Sequence, residues 1–147
     1  MQRGQSLASA LALAALLAAC GGGDGSDSEA DPLGARHVLE LRSGLAVPVG
    51  SGALSLLLTD VRDSRCPITA LCVWAGHASV QLQASVRGQP VQTVWIGLPA
   101  PAGSDLPGDA MMHGWRLSLQ ALEPTPPGDA PVPLQDYRAR VLAERVQ

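Results

Sequence analysis

The chain has no lysine and no phenylalanine, and its aromatic side chains are three tryptophans and one tyrosine. Charged residues are 16% of the 147 residues, whereas soluble domains average ~25%. The formal net charge is −3, so the basic surface that binds nucleic acid is missing. Few aromatic rings are present to stack on bases or sugars. The sequence therefore predicts no nucleic-acid partner.

Hydrophobic residues are not scarce, at 46% of the chain. This content argues against wholesale disorder, because disordered chains are poor in apolar residues and rich in net charge. The length suits one hydrophobic core.

The first residues predict export from the cytoplasm. Leu7–Ala19 is a run of thirteen apolar or small residues that follows Arg3. A membrane-spanning helix needs about 20 such residues, so this run is typical of a secretory signal peptide. It ends in Leu17–Cys20 (LAAC), which resembles the bacterial lipobox. The resemblance implies cleavage before Cys20 and acylation of Cys20; the alternative is an ordinary signal peptide.

Three parts of the chain are predicted on this basis. Residues 1–19 form the lipoprotein signal peptide, residues 20–34 a lipid-anchored tether rich in Gly, Ser and Asp, and residues 35–147 a single β domain. A Gly-rich tether of this length spans roughly 20 Å. Gly21 after the acylated cysteine, by resemblance to lipoproteins of enteric-type bacteria, implies an outer-membrane protein that faces the periplasm.

Three cysteines are an odd number for an exported protein. If Cys20 carries lipid, Cys66 and Cys72 remain to pair in an oxidising compartment. We predict a structural disulfide between them. Their C-x5-C spacing differs from the C-x-x-C of redox motifs, so a redox or metal-binding role is the alternative.

Beyond the tether, hydrophobic residues recur with period two, which is typical of strands. Residues 78–86 alternate most regularly, and residues 37–42, 45–49, 53–61, 90–96, 115–121 and 136–147 follow. Within these runs Leu54, Leu56 and Leu58 are predicted opposite Val61, and Ala121 in phase with Trp115, Leu117 and Leu119. About seven short strands with Pro/Gly loops predict an all-β antiparallel sandwich, or a small β-barrel, with one disulfide.

The most informative motif is DSRCP at residues 63–67 followed by CVWAG at residues 72–76. It resembles a group of small bacterial lipoproteins of unknown function that carry D-S-R-C-P, a short variable stretch and C-x-W-A-G. The likeness continues to about Val146. It implies a fold and a cellular location, and it implies no reaction.

Each residue of this motif has a structural interpretation. Asp63 is expected to pair with Arg65 or to cap the turn, and Pro67 restricts the loop. Trp74 is expected to cover the disulfide as its buried hydrophobic neighbour. Gly76 indicates a bulge or a close approach of two backbones.

No nucleophile motif such as G-x-S-x-G is present. The histidines His37, His77 and His113 are isolated in sequence. Of these, His77 is the candidate general base, with Asp60 or Asp63 as its carboxylate; the alternative is a surface histidine. The sequence therefore predicts that the protein is not an enzyme.

The run Met111–His113 suggests a copper site, because thioether and imidazole ligands suit Cu(I). Met111 and His113 would share one side of a strand, and His77 would complete the site. The alternative is that the methionines pack in the core.

Taken together, these features predict a lipid-anchored, non-catalytic binding or accessory module of the cell envelope. Its partners would be the membrane, through the lipid on Cys20, and an envelope protein. An inhibitor of an envelope hydrolase is one form of this hypothesis, with the loop from Cys66 to Cys72 as its contact. Periplasmic copper binding is the alternative, and an enzyme using His77 and Asp63 is the third hypothesis.

Overall fold

The structure is a computed structural model that describes residues 31–101 and 103–147. The predicted signal peptide, Cys20 and the tether up to residue 30 lie outside the described residues. Acylation of Cys20 therefore stays a prediction. Within the described ranges, no helix has the length and apolar character needed to cross a membrane.

The described residues form eight strands: seven correspond to the alternating runs of the sequence, and one short strand is additional. The strands are β1 (Arg36–Leu41), β2 (Ala46–Val49), β3 (Leu54–Asp63), β4 (Ala78–Val86), β5 (Gln92–Gly97), β6 (Ala110–Met112), β7 (Trp115–Glu123) and β8 (Arg138–Arg145). A single 3-10 turn, Leu134–Asp136, precedes β8. The additional strand is β6, whose three residues are too few to show a period of their own.

The strands make two antiparallel sheets of four strands each. One sheet has the order β1-β8-β7-β6 and the other β2-β3-β4-β5. The predicted all-β sandwich is confirmed, and the two separate sheets are not the closed barrel that was its alternative.

Alternate residues from both sheets form the hydrophobic core between them. The fully or almost fully buried side chains include Leu41, Val49, Leu54, Leu56, Leu58, Val80, Leu82, Ile96, Trp115, Leu117, Leu119, Leu122, Tyr137 and Val141. Apolar residues on one face of each strand reach this core, which is why period two is so visible in the sequence.

Two β-bulges shift the alternation and correct two predictions. The register between β3 and β4 shifts between Leu58 and Asp60, so Val61 pairs with buried Val80 and packs against the core. The prediction that Val61 faces away from the leucines of β3 is therefore wrong. A second bulge, between Leu119 and Ala121 in β7, makes Leu122 the buried residue in place of Ala121. A bulge adds one residue to one strand, which reverses the face of everything after it.

The ladder between β3 and β4 gives the domain two distinct ends. At one end Asp63 pairs with Ala78, next to the disulfide; we call this the cystine end. At the other end Leu54 pairs with Val86, and the first described residue, Asp31, borders the same cavity as these two residues. We call this the N-terminal end. Nine residues of strand β4 separate the two ends by about 25 Å.

Candidate functional site

The most unusual surface of the molecule is the loop that joins β3 to β4, residues 66–76, here called the cystine loop. All residues from 68 to 76 are exposed. Leu71 is fully exposed, and Val73, Trp74 and Ile68 are 93%, 82% and 72% exposed. Large apolar side chains clustered in this way on a surface are typical of an interaction site.

A disulfide closes the loop. Cys66 and Cys72 are bonded, with their Cα atoms 5.8 Å apart, within the usual range for a disulfide. The predicted pairing is confirmed. Cross-linking so close in sequence restricts the conformations of the residues between the two sulfurs.

The base of the loop continues the β3–β4 ladder. The Ser64 amide donates to the His77 carbonyl at 2.8 Å, and the Cys66 amide donates to the Ala75 carbonyl at 3.0 Å. Gly76 has a positive φ of 71°, and a Cβ at this position would overlap the Ser64 carbonyl. The predicted close approach of two backbones at Gly76 is confirmed, and only glycine fits both conditions.

On its other side the cystine loop rests on the proline-rich segment after β7. The Ile68 amide donates to the Pro126 carbonyl at 3.0 Å, and the Thr69 hydroxyl donates to the Pro127 carbonyl at 2.9 Å. The loop is therefore held at its base, by its disulfide and along one flank.

Beneath the loop, Arg65 joins the two sheets. Its Nη2 and Nε atoms donate to Oδ2 and Oδ1 of Asp63 at 2.6 and 2.8 Å, and its main-chain amide also donates to Oδ1, at 3.1 Å. The same guanidinium donates to the carbonyls of Leu122 and Pro124 at 2.7 and 2.8 Å. Both sequence interpretations of Asp63, ion pair and turn cap, are thus confirmed.

The β3 bulge is what brings Asp63 inward. After the shift at Leu58, the inward positions are Val61 and Asp63, so the Asp63 side chain is only 4% exposed and that of Arg65 15%. Burial alone would raise the pKa of Asp63, but the hydrogen bonds and charge of Arg65 outweigh it and lower that pKa overall.

Tyr137, which directly precedes β8 of the opposite sheet, completes the group. Its hydroxyl donates to Asp63 Oδ2 at 3.0 Å. Burial, and then the neighbouring Asp63 carboxylate, raise the pKa of Tyr137 to about 12. The hydroxyl therefore stays protonated and acts as a donor at any physiological pH.

A cleft of about 390 Å³ opens beside this group. Its lining includes Asp63, Arg65, Pro67, Pro126 and Tyr137. Each polar side chain named here already has an internal partner, so the cleft wall is part of the scaffold of the cystine loop.

The structure corrects the prediction for Trp74. This side chain does not cover the disulfide in a buried position but projects into solvent. The loop is instead hydrogen-bonded to the Pro126 carbonyl through the Ile68 amide, and Arg65 at its base binds the Pro124 carbonyl, so the contacts that hold the loop do not involve the indole. The motif therefore combines buried polar residues that support the loop with an exposed apolar tip.

His77 and Asp63 border a common cavity of about 350 Å³, but each is committed elsewhere. The His77 Nε2 atom lies 2.9 Å from the Leu98 carbonyl, and Asp63 is bound by Arg65 and Tyr137. In the part of the chain that is described, no hydrogen bond joins the two. Asp60 accepts from the Val61 amide instead.

The proposed copper ligands are not brought together. Met111 is exposed and Met112 is buried in the core. His113 lies in the β6–β7 turn with a φ of 49°, and it borders a cavity at the N-terminal end. His77 lies at the cystine end, beside Ala78, so it cannot complete a site with His113. Residues 31–101 and 103–147 contain no group of three His, Cys, Asp or Glu side chains arranged to hold a metal.

One polar cluster at the N-terminal end was not predicted from the sequence. Asp31 accepts from the Ser51 amide and hydroxyl, both at 2.9 Å, and its other oxygen lies 3.2 Å from His37 Nε2. Arg145 donates to the His113 carbonyl at 3.2 Å. Asp31 and Arg145 are more than a hundred residues apart in sequence, and only the strand order brings them to one end.

Comparison with protein-family models, with curated proteins and with solved structures finds no match to this chain. The likeness to small lipoproteins, seen in the DSRCP and CVWAG segments, stays a prediction.

Proposed function

We propose that this chain is a non-catalytic binding module of the bacterial cell envelope and that the cystine loop is its contact surface. In this proposal Cys20 carries the lipid, and the domain faces the periplasm from the outer membrane. The lipobox-like residues Leu17–Cys20 support the anchor. The Cys66–Cys72 disulfide supports an oxidising compartment.

The observation that carries the proposal is the exposure of Ile68, Leu71, Val73 and Trp74 on one supported loop. Burying one such side chain against a partner contributes roughly 1.5–3 kcal/mol. Four of them, already held in place, supply a compact set of anchor residues of the kind that dominates protein interfaces.

The polar residues of the motif support the loop and are not offered to a substrate. Asp63 binds both Arg65 and Tyr137, and Arg65 also binds the carbonyl of Leu122 in the opposite sheet and that of Pro124 just after it. A nucleophile or a general base must instead be within reach of a substrate. This arrangement favours a rigid contact surface, such as that of an inhibitor of an envelope hydrolase.

The test is capture of envelope proteins by the immobilised protein. We expect the double variant Leu71→Ser/Trp74→Ser to lose capture, because it removes two anchors without touching the supporting hydrogen bonds. The matched control is Val38→Ser, an exposed valine on β1 away from the loop. Equal capture by the loop variant and the control contradicts the proposed contact surface.

The anchor is tested separately by mass spectrometry of protein purified from its native host. We expect an N-terminus at Cys20 with the added mass of the acyl chains, and membrane release of the Cys20→Ser variant. An uncleaved or unmodified N-terminus contradicts this part of the proposal.

A further inference from the structure

The chemistry of the cystine loop also indicates what kind of partner it binds, an inference that rests on the proposed function. Residues 66–76 read CPITALCVWAG and contain no charged side chain. Recognition therefore depends on apolar contacts and on the main chain. Ile68, Leu71, Val73 and Trp74 present the apolar contacts.

The main chain at the tip of the loop is available to a partner. In the described part of the structure, no hydrogen bond involves a main-chain group of residues 71–74, although Cys66, Ile68 and Ala70 all donate within the domain. Exposed main-chain groups next to apolar side chains are the features by which a cleft on another protein binds a peptide segment.

Binding of a partner would restrict this segment only a little further, because the loop already limits its conformations. The disulfide, the Cys66–Ala75 hydrogen bond and the Ile68–Pro126 hydrogen bond hold it on three sides. A ligand that is held in its bound shape binds more tightly than a free peptide of the same sequence.

The position of the loop argues against the anchoring membrane as its partner. Asp31, where the chain leaves the described domain, is held by Ser51 at the N-terminal end. The cystine loop lies at the other end, about 25 Å away along β4. The predicted tether spans roughly 20 Å, less than the length of the domain, which favours contact of the lipid surface with the N-terminal end rather than with the cystine loop.

We infer that residues 71–74 bind as a peptide-like ligand in a cleft of another envelope protein. That cleft would have apolar pockets for the side chains of Leu71 and Trp74 and main-chain donors and acceptors along its rim. A peptidase or a peptide-binding chaperone has a cleft of this chemistry.

The experiment places the photo-crosslinker benzoylphenylalanine at Leu71 in the full-length protein within intact cell envelopes. The control carries it at Leu33, which is also apolar and 71% exposed but lies near the N-terminal end. We expect one discrete protein adduct from position 71 and not from position 33. Once that partner is purified, Trp74→Ser is expected to weaken its binding to the full-length protein at least about tenfold.

A competitor then tests the peptide-like mode. The linear peptide of residues 69–74, TALCVW with Cys72→Ser, is expected to reduce the adduct at millimolar concentration, whereas a scrambled peptide is not. A protein adduct that is insensitive to the peptide overturns the cleft while leaving the binding module intact. An adduct with lipid only, an adduct with a second copy of this chain, or the absence of any adduct overturns both.

Discussion

Each end of the sandwich holds an aspartate by hydrogen bonds, but the partners of the two carboxylates differ. At the N-terminal end, Asp31 is bound by Ser51 and lies beside His37. At the cystine end, Asp63 is bound by Arg65 and Tyr137, and Arg65 continues to the carbonyls of Leu122 and Pro124. The first arrangement fastens one chain segment, whereas the second joins both sheets.

The chain segments that these two carboxylates hold in place also differ. Asp31 holds the incoming chain against the polar β2–β3 turn at Ser51. The group around Asp63 holds a loop that is closed by a disulfide and carries four exposed apolar side chains. Strong support and an apolar tip occur together at one end only, which is the main reason for assigning the contact surface there.

The largest expected effect is that of removing Arg65. The variant Arg65→Ala leaves the Asp63 carboxylate buried without its cation and frees two carbonyls, so we expect a loss of about 3–5 kcal/mol in the free energy of unfolding. Urea denaturation measures it. The control is Arg42→Ala, whose exposed pair with Glu40 is expected to contribute far less to stability, because water and salt screen it. Equal losses for the two variants would show that the cystine end has no special support.

The next effect is that of adding a methyl group at Gly76. Gly76→Ala combines a positive φ with overlap on the Ser64 carbonyl, so we expect a loss well above the ~1–2 kcal/mol cost of the left-handed backbone alone. Gly88→Ala is the matched control, because Gly88 has a φ of 76° and open space around it. Thermal unfolding of both variants isolates the steric part; a loss no larger at Gly76 would contradict the close backbone approach.

The disulfide comes third. Replacing both cysteines, Cys66→Ser/Cys72→Ser, is expected to lower stability by about 2 kcal/mol, as the chain-entropy model gives for so short a loop. Capture of the envelope partner should fall at the same time, since the tip is then less restricted. Full capture by this variant, measured alongside its unfolding midpoint, would mean that closure of the loop is unnecessary for binding.

A smaller effect is expected from Tyr137, the only tyrosine of the chain. Tyr137→Phe removes one hydrogen bond to the Asp63 carboxylate, which keeps its bonds from Arg65, so the expected cost is about 1.5 kcal/mol, the lower end of the range for bonds to charged groups. Because the folded-state pKa of about 12 lies above the ordinary value of 10, its contribution is complete below pH 10 and is lost as the pH rises from 10 towards 12.

Ultraviolet absorbance of the phenolate follows this titration directly. In the variant Asp63→Asn we expect the pKa of Tyr137 to move down towards 10, because the neighbouring negative charge is gone. An unshifted phenolate titration in the wild-type protein would contradict the contact between Tyr137 and Asp63.

The pH dependence of the Asp63 contribution to stability is opposite to that of Tyr137. Because the pKa of Asp63 is lowered, its contribution is present above the ordinary pKa of 3.8 and is lost as the pH falls below that value.

The smallest effect on stability is expected at the tip. Trp74→Ser removes an exposed side chain, so the free energy of unfolding should change by no more than about 0.5 kcal/mol, while partner capture is lost. Denaturation and capture are measured on the same preparation. A large loss of stability would show that the indole supports the fold and is not a contact residue.

Much of the fold was predictable because the strand signal is local. Ala78, Val80, Leu82 and Ala84 form the buried face of β4 as the alternation predicts, whereas Ser79, predicted on the wet face, is buried as well. The bulges at Leu58/Asp60 and Leu119/Ala121 were not predictable, since nothing in the residues themselves marks the extra position. The errors at Val61 and Ala121 both follow from this.

The candidate site was predictable in part. The pairing of Cys66 with Cys72 and the need for glycine at position 76 followed from residue type and spacing. The exposure of Trp74 did not, because tryptophan near a disulfide is as compatible with a buried position as with an exposed one. Which of the two occurs depends on the segment that packs against the loop, and Pro126 belongs to a strand connection more than fifty residues later in the chain.

The amino-acid sequence alone determined the all-β class, the disulfide and the residues of the apolar loop, because period-two alternation, cysteine count and side-chain polarity are properties of neighbouring residues. Tertiary structure decided the rest. It turned Asp63 inward through a bulge, joined it to Arg65 and Tyr137, and separated His77 from His113 by the length of a strand. These outcomes depend on strand register and on the order of strands in the sheets, which connect residues far apart in the chain and leave no local trace.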